Sequence, residues 1–203
     1  MNLEKILEKH QMWLKGEKGG ECSDLSYADL IDTDLSYANL SHVDLSYADL
    51  SYANLRSADL RNANLSHANL KNTNLTGANL IGTNLTNVKT NMYTVGYNLA
   101  CPEEGSFIGY KKAGKYLVKL LILEDAKRSS ATTMKCRCDM AKVLDIENIL
   151  TGKKIKKVSS NYDSDFVYKI GEIVTVDNFD DNRWNECAPG IHFFMNKDNA
   201  LNY

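Results

Sequence analysis

From Leu25 to Leu85 a leucine stands at every fifth position, thirteen in succession, and the residue two places before each is small or short, from Ser23, Ala28 and Thr33 to Ala78 and Thr83. The position just before every one of these leucines is Asp or Asn. A period of five fits neither an amphipathic helix at 3.6 nor an alternating strand at 2. It predicts a solenoid in which four short sides make one coil, each side sending one leucine and one small residue inward. Thirteen repeats give about three and a quarter coils, or ~16 Å of height at the spacing of neighbouring strands.

The residue types suit that geometry. Leucines alternating with small side chains fill a narrow interior, while Asp or Asn beside them bond to nearby backbone and tolerate turn dihedrals. This pattern, over residues 22–89, resembles the pentapeptide-repeat family, whose consensus is a small residue, Asp or Asn, Leu and two variable positions. The resemblance implies a right-handed quadrilateral β-helix. The register is lost at Val88-Lys89-Thr90, where the solenoid is expected to end.

An open solenoid end exposes backbone and core and calls for a cap. Leu3, Ile6, Leu7, Trp13 and Leu14 share one face of a helical projection, and Gly16, Gly19 and Gly20 follow as a stop, so residues 2–15 are predicted as an N-terminal cap helix. Outward along the repeats, Tyr27, Tyr37, Tyr47 and Tyr52 follow their leucines by two residues. With four repeats per coil, Tyr27, Tyr47 and His67 fall in one column, and these five residues form a candidate interaction surface, the alternative being packing between coils.

Composition changes from about residue 98. The period of five disappears, and residues 98–203 hold 16 basic and 15 acidic groups against 8 and 11 before them. Strands are predicted at 106–111, 116–123, 142–146, 166–170, 173–176 and 190–194, with helical turns after Glu124 and near 196–200. The local signals at 108–112, 127–131, 135–138, 165–172 and 185–194 resemble an uncharacterised domain that follows the repeats in phage-like pentapeptide-repeat proteins. That resemblance implies no catalytic residues.

Charge and cysteines narrow the classes. A net charge of −2 argues against direct nucleic-acid binding, and no apolar run of about 18 residues suggests a membrane span. The beginning of the chain lacks the pattern of a secretory signal, so a cytoplasmic location is expected, in the host cytoplasm if phage-encoded. Residues 21–50 carry seven acids and no Lys or Arg. Because some pentapeptide-repeat relatives imitate DNA and inhibit topoisomerases, that function is one alternative the resemblance implies.

Five cysteines, an odd number, point to free thiols rather than a disulfide framework. Cys136, Cys138, Cys187 and His192 are the candidate metal set, but their spacing departs from paired zinc knuckles, and no metal or other cofactor is expected. Cys187 or Cys138 with His192 as base is the corresponding catalytic alternative. Lys127, Arg128, Ser129, Ser130, Arg137, Arg183 and His192 are candidates for a phosphate-containing small ligand such as a nucleotide.

The reading is therefore a mainly β protein. It has a cap helix and linker over 1–20, a solenoid over 21–97 and a small α+β domain over 98–203. Its expected function is non-catalytic binding or scaffolding, with the solenoid as a rigid spacer or oligomerisation surface and the C-terminal domain recognising the partner, modulating a host factor if the chain is phage-derived. The expected partner is a protein, with homo-oligomerisation or a small ligand of the C-terminal domain as alternatives.

Overall fold

The computed structural model describes Asn2 through Tyr203. The chain divides between Asn98 and Leu99 into two compact units; the described residues are mainly β with two helices, α1 (Leu3–Leu14) and α2 (Lys197–Asn202). Among the described residues no helix is long and apolar enough to cross a membrane.

The first unit is a β-helix solenoid whose coils advance by 20 residues. Parallel bridges join Asp24 to Asp44, Asp29 to Asp49, Asp34 to Asn54 and Asn39 to Asp59, and each column continues upward in the same step. Each bridge is made by two backbone bonds around the Asp/Asn position. Leu25 N–H donates to Asp44 C=O at 2.7 Å, for instance, and Asp44 N–H to Ser23 C=O at 3.2 Å. The leucines and small residues fill the interior: Leu40, Leu45, Leu50, Leu55, Leu60, Leu65, Leu70 and Leu75 are wholly excluded from solvent.

The corners follow from the same five-residue unit. The N–H two residues after the Asp/Asn position bonds to that side chain, as Ser26 does to Asp24 (2.9 Å) and Ser36 to Asp34 (2.9 Å), closing an Asx turn. Ala28 N–H returns to Leu25 C=O at 3.1 Å. Between them Tyr27 has φ 58°, and the equivalent residues of later corners, Asp32, Tyr37, His42, Tyr47, Tyr52, Ser57, Asn62, His67 and Asn72, all lie between 56° and 66°. Positive φ at the third turn position is the mark of a type II turn, which ordinarily selects Gly or Asn.

Side-chain amides add a second ladder outside the backbone one. Asn54 Nδ2 donates to Asp34 Oδ1 (3.1 Å), Asn64 to Asp44 (3.1 Å), Asn69 to Asp49 (2.9 Å), Asn74 to Asn54 (3.4 Å) and Asn84 to Asn64 (3.0 Å).

The solenoid continues past the expected stop at Val88-Lys89-Thr90. Lys89 occupies the Asp/Asn slot and still bridges Asn69, because that bridge is backbone; Val95 then bridges Asn74 after one inserted residue. Thr94 takes the inward small position, its hydroxyl bonding to Leu70 C=O at 2.8 Å, as Thr73 bonds to Leu50 C=O (2.7 Å) one coil earlier. At the other end α1 lies over the first coil. Gln11 Nε2 reaches Asn39 C=O (3.3 Å), and buried His10 accepts Ser23 N–H on Nδ1 (3.3 Å).

The second unit is a seven-stranded antiparallel sheet. Its strands are β1 (Phe107–Ala113), β2 (Tyr116–Ile122), β3 (Arg128–Ser130), β4 (Lys135–Cys138), β5 (Met140–Asn148), β8 (Ile173–Thr175) and β9 (Ile191–Phe194), in the order β3-β4-β9-β1-β2-β5-β8. β6 (Lys157–Ser159) and β7 (Val167–Lys169) form a separate ribbon. Val118, Leu120, Ile122, Cys136, Cys138, Ala141, Val143, Ile146, Ile191 and Phe193 make the main core. Phe193 requires Gly109 opposite it, since a Cβ there would lie 2.6 Å from the ring.

Two expectations are corrected here. The segment after Glu124 turns directly into β3 rather than forming helix, and β3, β4 and β6 are strands that the hydrophobic pattern did not indicate. β4 is LysCysArgCys with all four residues buried, so charge hides its core position.

Candidate binding surfaces

On the solenoid the column placed together by the repeat is a continuous stack. Tyr27 and Tyr47 lie 4.8 Å apart with ring planes 4° apart, and Tyr47 and His67 lie 4.5 Å apart at 2°. The two tyrosines remain 73% and 48% exposed. Tyr37 and Tyr52 are exposed as well but stand on other corners. Four bulky side chains thus hold a backbone conformation that disfavours them, and only one column recovers part of that cost by stacking.

The C-terminal unit contains a cavity of 780 Å³ lined by residues of β1, β4, β7, β8 and β9, the loops around Ser160 and Asp177, and Tyr203. β1 and β9 share a single register pair, Tyr110 with Phe194. Residues on both sides of the unpaired stretch that follows, Lys111, Lys112 and His192, line the opening together with Phe194.

Charge in this cavity is unevenly matched. Lys112 Nζ donates to Leu201 C=O at 3.0 Å. Lys135 is 5% exposed; its Nζ lies 3.2 Å from Tyr203 Oη, 5.3 Å from the centroid of that ring and 3.9 Å from Cys187 Sγ, with no ion pair among the described residues. Lys111 Nζ has no hydrogen bond or ion pair among the described residues, and burial, aided by the nearby Lys135 charge, pushes its pKa down. His192 is also shifted down, first by burial and then by Lys135, Lys111 and Arg137. A neutral ring fits its contact: with Ala188 C=O 2.9 Å from Nε2, the proton belongs on Nε2, leaving Nδ1 as acceptor.

The sequence-selected ligand residues separate. His192 lines this cavity, whereas Lys127, Arg128, Ser129 and Arg183 surround a second one of 420 Å³. Around that second cavity the cations are already engaged. Arg128 donates to the carbonyls of Gly105 (2.8 Å), Leu123 (2.8 Å), Glu124 (2.7 Å) and Ala126 (3.1 Å). Lys127 pairs with Asp181 at 3.4 Å, and Arg183 Nε donates to Ser130 C=O at 3.0 Å. Ser130 Oγ accepts Ala100 N–H at 2.8 Å.

Arg137, 2% exposed, spends its guanidinium on Asp180, Asn182 and Pro189 carbonyls at 3.0–3.1 Å and stacks over Phe179. It staples the 180–190 loop to β4. Lys111, Lys135 and Tyr203, which the sequence reading did not select, carry the larger cavity. The available signal was the pair of lysines ending the 108–112 segment and the lysine opening 135–138; β4 is only four residues long, and β1 buries only Gly109 and Ala113, so neither shows alternation.

The four metal candidates do not converge. Cys136 and Cys138 point into the core with their register partners Phe193 and Ile191, while alternation sends His192 the other way. Burial drives the Cys138 thiol well above its ordinary pKa, opposing the thiolate a metal requires. Cys187 and His192 line the same cavity, but His192 Nε2 is committed to Ala188 and Cys187 sits beside Lys135.

Comparison with known families gives one match to each unit. Residues 97–200 match the family of unknown function DUF5758. The chain belongs to that family. Residues 23–62 and 53–89 match the model for pentapeptide repeats (8 copies), so a DUF5758 domain here follows a pentapeptide-repeat segment.

Similar solved structures include a pentapeptide repeat protein from the Arabidopsis thaliana thylakoid lumen, 30% identical over 36% of this chain and 56% of that one, with TM-score 0.32. HetL, from the cyanobacterium Nostoc sp. and involved in heterocyst differentiation regulation, is 40% identical over 34% and 36%, with TM-score 0.22. Rfr23 from the cyanobacterium Cyanothece 51142 is 33% identical over 34% and 58%, with TM-score 0.19. The DUF5758 chain thus spans little more than half the length of these proteins at most. No curated protein matches it.

Proposed function

We propose that this DUF5758 chain is a non-catalytic binding protein whose solenoid presents the Tyr27–Tyr47–His67 column to a protein partner. The observation that carries this is the stack itself, three rings held parallel on an exposed corner where each backbone position favours Gly or Asn. Such a strip offers flat, rigid contact area at little conformational cost, the quality that enriches tyrosine in interfaces. Four Asx corners per 20 residues support a four-sided coil, and the likeness to pentapeptide repeats supports its right hand.

The acids of the first coils do not favour imitation of a nucleic acid. Asp24, Asp29, Asp34, Asp44 and Asp49 each accept the backbone N–H two residues on, so their placement is structural. Affinity capture with the wild type and the triple variant Tyr27→Asn, Tyr47→Asn, His67→Asn tests the reading, with light scattering to report self-association. Loss of a captured protein, or of a dimer, in a folded variant is expected. Identical capture by both proteins overturns it.

A further inference from the structure

We propose that the 780 Å³ cavity of the C-terminal unit binds a phosphate monoester carried on a flat ring. The cavity is within the size range of small-molecule sites, and the proposal stands independently of the solenoid's role. Its main support is two lysines without a counter-charge. Lys135 is almost completely buried yet its Nζ meets only the Tyr203 hydroxyl and ring and the Cys187 thiol, and Lys111, half-buried on the same cavity wall, has no hydrogen bond or ion pair among the described residues. Among the described residues neither takes part in an ion pair, although seven other ion pairs are formed. Buried cations are costly unless an anion pairs with them.

The missing partner is specified by chemistry. Two ammonium groups facing one cavity match a group bearing close to two negative charges with several acceptor oxygens, which a phosphate monoester supplies near neutral pH. A single carboxylate could bridge both lysines but would balance only one of their two charges. The downward shift of the Lys111 pKa, caused by burial and the Lys135 charge, is what such a dianion would reverse.

The remaining walls describe the rest of the ligand. Phe166, Tyr168, Phe194 and Tyr203 give the cavity aromatic faces, suited to a planar ring. Asp163 and Asp177 also line it. Neither is paired with Lys111 or Lys135; Asp163 Oδ1 takes the Asp165 N–H at 2.9 Å, which leaves its second oxygen and the Asp177 carboxylate to accept hydrogen bonds from amino or hydroxyl donors on that ring, acceptors a simple aromatic phosphate would leave unused.

Calorimetry on the full chain tests this with adenosine monophosphate, uridine monophosphate and phenyl phosphate, each beside its dephosphorylated counterpart, and with inorganic phosphate alone. At least one monoester is expected to bind with a dissociation constant below about 1 mM and about tenfold or more tighter than both its counterpart and inorganic phosphate. Lys111→Met should weaken it about tenfold or more, and Lys111→Arg should restore most of the affinity. In the unmodified protein, that monoester should also protect Lys111 from trinitrobenzenesulfonate, read by mass spectrometry, which needs no variant to fold. Failure of all three monoesters to bind, equal binding of the counterpart or of inorganic phosphate, undiminished binding by a folded Lys111→Met protein, or an unprotected Lys111 would each overturn the proposal.

Discussion

Tyr47 stacks on His67 with ring planes 2° apart and centroids 4.5 Å apart, while both residues hold φ near +60°. The left-handed conformation costs an ordinary side chain roughly 1–2 kcal/mol, less for Asn, and an aromatic pair returns about 0.5–1.5 kcal/mol. Tyr37 has the same φ and no ring against it. Tyr37→Asn should therefore stabilise the protein by about 0.5–1 kcal/mol, whereas Tyr47→Asn, which removes two stacks, should be neutral or destabilise by about 1 kcal/mol. Denaturant unfolding of the two variants checks the difference.

The interior of the solenoid excludes solvent completely at its central leucines, Leu40 through Leu75. Leu55→Ala, at a wholly buried position, should cost about 3–4 kcal/mol through lost burial and the cavity left behind. Ala53→Leu, equally buried, should cost about 1–3 kcal/mol by overpacking. Thermal unfolding followed by circular dichroism would show both.

Arg137 separates a ligand role from a structural one. Its substitution by Met would remove the donor to the Asp180 and Pro189 carbonyls and leave Asn182 C=O with the Asn185 N–H alone, and should destabilise the second unit by about 3 kcal/mol. Lysine lacks the planar fork and should recover only part of this. Unfolding midpoints of Arg137→Met and Arg137→Lys test the assignment; a stable Arg137→Met protein would contradict it.

His10 gives the cap a pH dependence. Burial lowers its pKa from the ordinary value near 6.5, and its Nδ1 must be unprotonated to accept Ser23 N–H. The folded state thus binds a proton less readily than the unfolded chain, and stability should fall as pH drops below about 6.5 towards the folded pKa. Histidine NMR titration should find His10 below the ordinary range, with the Ser23 amide losing exchange protection as it titrates.

The two units were unequally legible for a physical reason. The contacts that define the solenoid recur at a fixed separation, so one period in the sequence carries coil size, core and corners together. Lys89 and Thr94 escaped that reading because the backbone tolerates a lysine in the Asx slot and one inserted residue. In the second unit β9 sits between β4 and β1, a pairing across more than fifty residues that no local pattern encodes. Arg137 reads as a surface charge and is buried; the lysines of the cavity gain meaning only once β1, β4 and β9 are neighbours.

The amide ladder of the solenoid runs one way. Asn54, Asn64, Asn69, Asn74 and Asn84 each donate to the oxygen of the preceding coil, and a carboxylate, having no proton to give, can only receive. Carboxylates are therefore most at home in the coils laid down first, with amides after them. Asp59, which follows Asn39, breaks the order and takes Arg61 instead, at 2.8 Å. The ladder is thus a grammar of donors and acceptors written along the chain, and coils sharing one consensus are not interchangeable: transposing an early coil with a late one would preserve every leucine and force the ladder's bonds to change direction.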